Sequence, residues 1–423
     1  MQVEKDLFEL TWTWVFCGLL VAGLLTRLWL AGRHVRHVRQ HRGAVPAPFD
    51  TVITLDAHQK AADYTAAKVR LDMLDTALSA ALLVGWTLLG GLNALNQWLL
   101  MGMSPGIGQQ LALLASFMAV GMLLELPVSW YRTFRLEQQF GFNRMSVRLW
   151  VVDGLKGVTI GALIGLPMAA LILWVMESTG SWWWLWAWSA WVLFNLLILV
   201  LYPTVIAPLF NRFTPLEDES LKERIQRLMQ RCGFSAKGLF VMDGSTRSAH
   251  ANAYFTGFGP AKRVVFFDTL LERLTPDEMD AVLAHELGHF HHRHLIQRMV
   301  MLFGTSLIGF FLLGWLSGQP WFYTGLGVTP SFNGHNSALA LILFLSVVPL
   351  ATFFVTPLGS HLSRTHEFEA DAFAQRHTSG QHLSSALLKL YQDNASTLTP
   401  DPMFVRFYYS HPPATQRLGR LHG

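Results

Sequence analysis

Seven long apolar runs punctuate this chain, at about residues 10–31, 76–95, 111–131, 157–177, 182–206, 296–317 and 338–358. Each is close to the ~20 residues a helix needs to cross the hydrocarbon core of a bilayer. Between the fifth and sixth runs the pattern turns polar. Residues 221–231 alternate as an amphipathic helix that Cys232-Gly233 closes. Residues 238–242, 252–257 and 263–268 are rich in Val, Phe and Tyr and predict short strands, with Gly259-Pro260 turning a hairpin. Another helix opens at Thr275, where Pro276 and Glu278 complete a capping box, and Met279, Val282, Leu283, Leu287 and Phe290 give it an apolar face. Apart from Gly288, no Gly or Pro interrupts residues 278–303, so this helix is expected to run straight into the sixth span.

Composition agrees with a polytopic membrane protein: 52% of the 423 residues are hydrophobic and only 14% charged. The first run is long, follows Glu4, Asp6 and Glu9, and carries its basic cluster on the wrong side for a cleavable signal peptide. Charge orients the spans. Arg33, Arg36, Arg39, Arg42, Lys60, Lys68 and Arg70 follow the first span, and Arg132, Arg135, Arg144, Arg148 and Lys156 follow the third. Loops 96–110, 178–181 and 318–337 contain neither Lys nor Arg. The positive-inside rule then sets the amino terminus outside and the carboxyl terminus inside, with residues 207–295 cytoplasmic. The net charge of +4 belongs to this loop asymmetry, and no nucleic-acid-binding motif is present. Cys17 and Cys232 are too few for a disulfide framework. The clustered Trp182, Trp183, Trp184, Trp186 and Trp188 form an aromatic belt at the outer end of the fifth span.

Candidate chemistry sits in His285-Glu286-Leu287-Gly288-His289. On a helix the two histidines are one turn apart on one face and can share a metal, while Glu286 stands aside, placed to take a proton from a water the metal activates. This is the pattern of a zinc metalloprotease; the bland alternative is a polar helix surface with two unrelated histidines. A third ligand is found just past the seventh span, where Glu367 and Asp371 lie four apart on one helix face. Glu367 is expected to bind the metal and Asp371 to fix a ligand imidazole from behind, against the alternative of a solvated acidic helix. His366 points elsewhere by helix phase and Glu369 faces solvent; His291, His292 and His294 offer further ligands but read better as interfacial polar residues, because His285 and His289 already take the metal-facing positions. The expected fold is mainly α, with about seven transmembrane helices and a small α+β zincin-like domain on the cytoplasmic side. Its parts are a membrane domain over 1–206 with cytoplasmic loops 32–75 and 132–156, a peptidase portion over 207–295, two spans over 296–358, and a closing peptidase portion over 359–423.

Other charges fit structural roles. Residues 56–75 predict a helix entering the membrane, with Asp72 and Asp75 solvated near the interface. Gly141 marks a turn, and Arg135, Glu137 and Asp153 are placed for an inter-helix network. The sheet before the metal helix offers an edge for an extended peptide. The polar run 245–252 has no evident core role.

Together HELGH, EFEAD, HANAYFTGF–KRVVFFDTLLE, FRLEQQFGFNRMS, the late Ser410-His411-Pro412-Pro413 with Arg417-Leu418, and the seven spans resemble the type I CAAX prenyl endopeptidases over nearly the whole chain. The resemblance implies one zinc ion per chain held by His285, His289 and Glu367, with Glu286 as general base and Asp371 behind a ligand. It further implies that Asn252 and Ala253 hold the substrate backbone on an edge strand, that His411 donates a hydrogen bond to the oxyanion, and that Arg417 supports the site. It implies a water-filled chamber between the spans, with peptide or protein substrates, prenylated or membrane-associated, and the lipid bilayer as partners. A quality-control protease without prenyl specificity is the nearest rival, and a zinc-binding transporter or scaffold a more distant one. Short basic loops without targeting tails point to a bacterial inner membrane.

Overall fold

The computed structural model describes residues 2–47, 49–234, 238–250, 253–256, 263–331 and 334–421, with the backbone alone at 2–6 and 253–256. The amino-terminal half is helical. After α1 (Gln2–Gln40), Thr54 caps α2 (Leu55–Trp86) by accepting from the Ala57 N–H. α2 runs unbroken from residues 56–75 into the second apolar run, the continuous helix its sequence predicts. The second apolar run is then not one straight helix. Gly90, at φ 76°, breaks it, and α3 (Gly91–Gly102) departs at 51°. The left-handed backbone there favours glycine. α4 (Ile107–Tyr131) continues through a π-turn at Arg132–Glu137 and ends before Gly141, which sits at φ 80°. α5 (Val147–Ser178), capped by Ser146, and α6 (Trp183–Leu201) follow. A second π-turn at Tyr202–Ile206 contains Pro203, which has no N–H to give the α-helical ladder, and leads into α7 (Ala207–Phe210).

A four-stranded sheet comes next. β1 (Phe213–Pro215), too short and Pro-bearing to be legible as a strand in the sequence, precedes α8 (Glu219–Arg231), β2 (Gly238–Met242), β3 (Ala253–Thr256) and β4 (Arg263–Phe267). The order is β1-β2-β4-β3, with β2 and β4 parallel and β3 antiparallel to β4 at one edge. The hairpin is present, while its Gly259-Pro260 turn lies outside the described residues. A short α9 (Asp268–Leu271) leads to α10 (Pro276–His291), whose capping box forms as read: the Glu278 carboxylate accepts from the Thr275 N–H, and the Thr275 hydroxyl from the Glu278 N–H.

The metal-motif helix does not run on into the sixth span. Arg293 adopts φ 57°, ending α10 and starting α11 (His294–Leu316). α12 (Pro320–Thr324) and α13 (Ser337–Thr352) follow. Continuity with the membrane belongs instead to α14 (Thr356–His377), which extends α13 through a single 3-10 turn at Phe353–Val355. α15 (Gly380–Asp393), α16 (Pro402–Tyr408) and α17 (Ala414–Leu421) close the chain. Among the described residues six helices are long and apolar enough to span, or seven if α2 and α3 count as one bent span. The spans formed by α4, α6 and α11 bury only 6% of their apolar windows, whereas the span that includes α13 buries 44%.

Two cores result. One packs Phe16, Leu92, Leu113, Leu173, Phe322 and Leu343 among the spans. The other packs Ile225, Leu228, Val264, Phe266, Met279, Leu287 and Phe373 between α8, the sheet, α10 and α14. At the α10–α14 crossing a Cβ on Gly288 would stand 2.9 Å from the Cα and 3.1 Å from the carbonyl oxygen of Ala370. Backbone, not a flexible side chain, fills that space. Gly288→Ala should therefore push the helices apart and cost about 1–3 kcal/mol, read as a lower thermal midpoint in detergent. An unchanged midpoint would show that the crossing tolerates a wider spacing.

Candidate active site

α10 presents His285 and His289 on one face, and α14 presents Glu367 and Asp371 one turn apart against them. The Nε2 atoms of His285 and His289 each stand 3.4 Å from a Glu367 carboxylate oxygen. One ligand atom from each of the three residues lies within 4.8 Å of the others. These separations are long for hydrogen bonds. Donors held tetrahedrally at 2.0–2.1 Å from a zinc ion stand ~3.3 Å apart. Glu367 is 2% exposed, and its Oε2 lacks a hydrogen-bond partner. A buried carboxylate oxygen left unpaired is costly. The donor set therefore fits a zinc ion.

Behind the donors, His285 Nδ1 lies 2.9 Å from Asp371 Oδ1 and donates to it, so that the neutral ring, the form that binds a metal, has Nε2 bare toward the cluster. Arg417 grips the same carboxylate through Nε at 2.8 Å and Nη2 at 2.5 Å, and approaches Glu367 at 3.7 Å. Burial pushes the His285 imidazole down, but the adjacent Asp371 and Glu367 carboxylates outweigh burial and lift its pKa to about 9. Positive charge is thus favoured at this point between two carboxylates. The Glu286 carboxyl is raised by burial, against the pull of His285 and His289, as suits a base working nearer neutrality. Glu286 lines a cleft of about 110 Å³ with His285, Glu367, His411 and Arg417.

His411 reaches the cluster from the loop before α17, its Nε2 3.4 Å from Glu367 Oε1 and its side chain 63% exposed. Ser410 Oγ is 3.0 Å from His411 Nδ1. With that hydroxyl donating, Nε2 carries the hydrogen and points it toward the donors. Tyr391 donates its hydroxyl to the Pro412 carbonyl and so steadies the loop; no pattern in the sequence marked it. Ala253 begins the edge strand β3, and Asn252 lies outside the described residues.

Several sequence expectations need correction. His294 is not an interfacial histidine: it is 1% exposed, with Nδ1 2.9 Å from His289 Nδ1. Glu369 is partly exposed but not simply solvated, because its Oε2 lies 2.8 Å from His294 Nε2. His366, by contrast, does stand outside the donor group, where it is buried and stacks on His294 at 3.9 Å between ring centroids. The network drawn among Arg135, Glu137 and Asp153 resolves into two separate ties. Tyr64 donates to Glu137 at 2.7 Å, and Arg247 donates to Asp153 through two nitrogens and to Asn211 at 3.0 Å. Arg135 is in neither tie. Asp72 pairs with Arg132 at 2.9 Å instead of being solvated alone.

Fold and site define a multi-pass membrane metalloendopeptidase. Residues 34–212 match the family model described as CAAX prenyl protease N-terminal, five membrane helices, and residues 215–423 match peptidase family M48. The chain is 32% identical to the CAAX prenyl protease 1 homolog of Oryza sativa subsp. japonica, over 91% of this chain and 92% of the other. It is 36% identical to CAAX prenyl protease 1 of Saccharomyces cerevisiae, over 74% and 72%. The crystal structure of S. mikatae Ste24p superimposes with a TM-score of 0.92 at 30% identity, covering 97% and 99% of the two chains. The chain belongs to the CAAX prenyl protease 1 family. These relatives are plant and fungal, so the bacterial setting expected from the loops draws no support from them.

The Arg417–Asp371 pair is buried on both sides, and removing one partner strands the other. Arg417→Gln should cost about 3–5 kcal/mol, measured by denaturation in detergent. A loss below about 1 kcal/mol would show that His285 alone can balance Asp371.

Proposed function

We propose that the chain is a zinc endopeptidase with His285, His289 and Glu367 as the ligands of one zinc ion. The observation that carries this reading is the buried Glu367 carboxylate, whose Oε2 has no hydrogen-bond partner and stands 3.4 Å from His285 Nε2 while its Oε1 stands 3.4 Å from His289 Nε2. When bound, zinc makes a water acidic enough to ionise near neutral pH and polarises the scissile carbonyl. Glu286 takes the water proton and passes it to the departing amine, so no covalent enzyme intermediate is needed. His411 Nε2–H, aimed at the same point, hydrogen-bonds the developing oxyanion. Asp371 and Arg417 hold His285 in the tautomer that leaves Nε2 free. β3, beginning at Ala253 with Asn252 before it, offers its open edge to an extended substrate, whose backbone pairs there as an added strand.

The substrate class follows from kinship: proteins named as CAAX prenyl proteases align along most of this chain, and we assign prenylated or membrane-associated C-terminal peptides as its substrates. Loop charge supports an outside amino terminus and a cleft open to the cytoplasm.

Glu286→Gln should keep zinc yet lower turnover by about 10²–10⁴-fold; near-normal cleavage by the zinc-replete mutant would remove Glu286 as the base. Glu367→Ala should lose most bound zinc by elemental analysis, and normal zinc content would exclude it as a ligand. Detergent-purified protein should cleave a short farnesylated CAAX peptide and leave its unmodified twin largely intact. Equal cleavage of both would reject prenyl selectivity and favour a broad membrane protease.

A further inference from the structure

The two imidazoles of the metal motif are backed in different ways. His285 rests directly on a carboxylate, whereas His289 rests on another imidazole. Arg293, left-handed at φ 57°, turns the chain so that His294, the first residue of α11, faces back toward α10. Its Nδ1 comes 2.9 Å from His289 Nδ1, and its Nε2 lies 2.8 Å from Glu369 Oε2 on α14. Burial at 1% exposure and the stacked ring of His366 fix the plane of His294.

Hydrogen positions along this row follow from donor and acceptor counts. An ionised carboxylate only accepts, so His294 Nε2 must carry the hydrogen that reaches Glu369. A neutral imidazole then has a bare Nδ1, which accepts from His289 Nδ1–H. That leaves His289 Nε2 without hydrogen, and this is the atom 3.4 Å from Glu367 Oε1. The opposite arrangement, with hydrogen on His294 Nδ1, would force a hydrogen onto His289 Nε2 and block it as a ligand.

We propose that Glu369 and His294 form a relay that sets the tautomer and ring orientation of His289, making both of them positioning residues for the metal centre. Ligating histidines commonly give their outer N–H to a carboxylate or carbonyl; here an imidazole is interposed and the carboxylate lies one step farther out. His292, His294 and Glu369 also gather closely enough to suggest a second cation site. Both nitrogens of His294 are already engaged, however, and the relay accounts for its contacts without another ion. This inference rests on the zinc reading given above.

The test is zinc affinity of the full-length protein in detergent, measured by competition with a chromogenic chelator, with the zinc-to-protein ratio alongside. Glu369 has a side-chain exposure of 44%, so its variants should fold. Glu369→Gln keeps an acceptor and should bind within about twofold of wild type. Glu369→Lys presents only donors, inverts the row, and should weaken zinc by about 10–100-fold. In a His294→Asn background the row is cut, and adding Glu369→Lys should cost nothing further. If His294→Asn does not fold, the Glu369→Lys penalty should persist in about 0.5 M salt, where a purely Coulombic effect is screened within a few ångströms. Wild-type affinity in Glu369→Lys would overturn the relay, as would a penalty unchanged in the His294→Asn background or abolished by salt. Two zinc ions per wild-type chain, with one lost on Glu369→Gln, would assign these residues to a second metal and overturn it too. A wild-type protein that binds no zinc would bring down the metal centre and the relay together.

Discussion

The backbone contact between Gly288 and Ala370 sets the geometry on which the site depends. α10 supplies two imidazoles and α14 supplies Glu367 and Asp371, and the crossing distance decides whether these donors converge. Glycine at 288 allows the approach seen here, where a single added methyl would meet backbone atoms of Ala370 at 2.9–3.1 Å. Phe373, Met279, Leu283 and Leu287 pack around the crossing and keep it dry. The capping box at Thr275 fixes where α10 starts, and Glu278 extends the hold by accepting from Lys389 on α15 at 2.7 Å.

Charge is concentrated inside that crossing. Glu367 and Asp371 are both nearly inaccessible to solvent, and Arg417 is the permanent cation set against them. Burying two carboxylates with one guanidinium leaves a net negative site, which the raised pKa of His285 reflects. A dication between the imidazoles and Glu367 meets the same demand, since each imidazole Nε2 already stands 3.4 Å from a Glu367 oxygen and the three donors lie within 4.8 Å of one another. The site is prepared for a metal by electrostatic need as well as by donor identity.

Connections to the membrane run through few residues. α14 is the extension of a candidate span, so the placement of Glu367 is tied to that of α13. Arg247, just ahead of the edge strand, holds Asp153 on α5 and Asn211 after α7, joining the peptidase portion to two spans. His250 stacks on Phe142 with ring centroids 4.5 Å apart and lies 3.1 Å from Asn394 through Nδ1, which ties the approach to β3 both to the α4–α5 turn and to the end of α15. A substrate strand on β3 would thus sit on a surface braced from the membrane side and from the peptidase side.

Local chemistry made part of this protein legible in its sequence. Four-residue spacing puts His285 beside His289 on any helix, apolar runs of bilayer length become spans, and Thr275, Pro276 and Glu278 start a helix wherever they occur. Glu367 and Asp371 shared a face for the same reason. No local pattern could show that residues as far apart as His285 and Arg417 would meet, because their convergence depends on packing; only the family resemblance set Arg417 at the site. Nor could a local pattern reveal the break before the sixth span: a left-handed Arg293 is opposed by intrinsic preference and persists because tertiary contacts hold it. That one backbone reversal turned His294 from an interfacial residue into the neighbour of His289, and brought Glu369 from apparent solvent exposure into the support of the site.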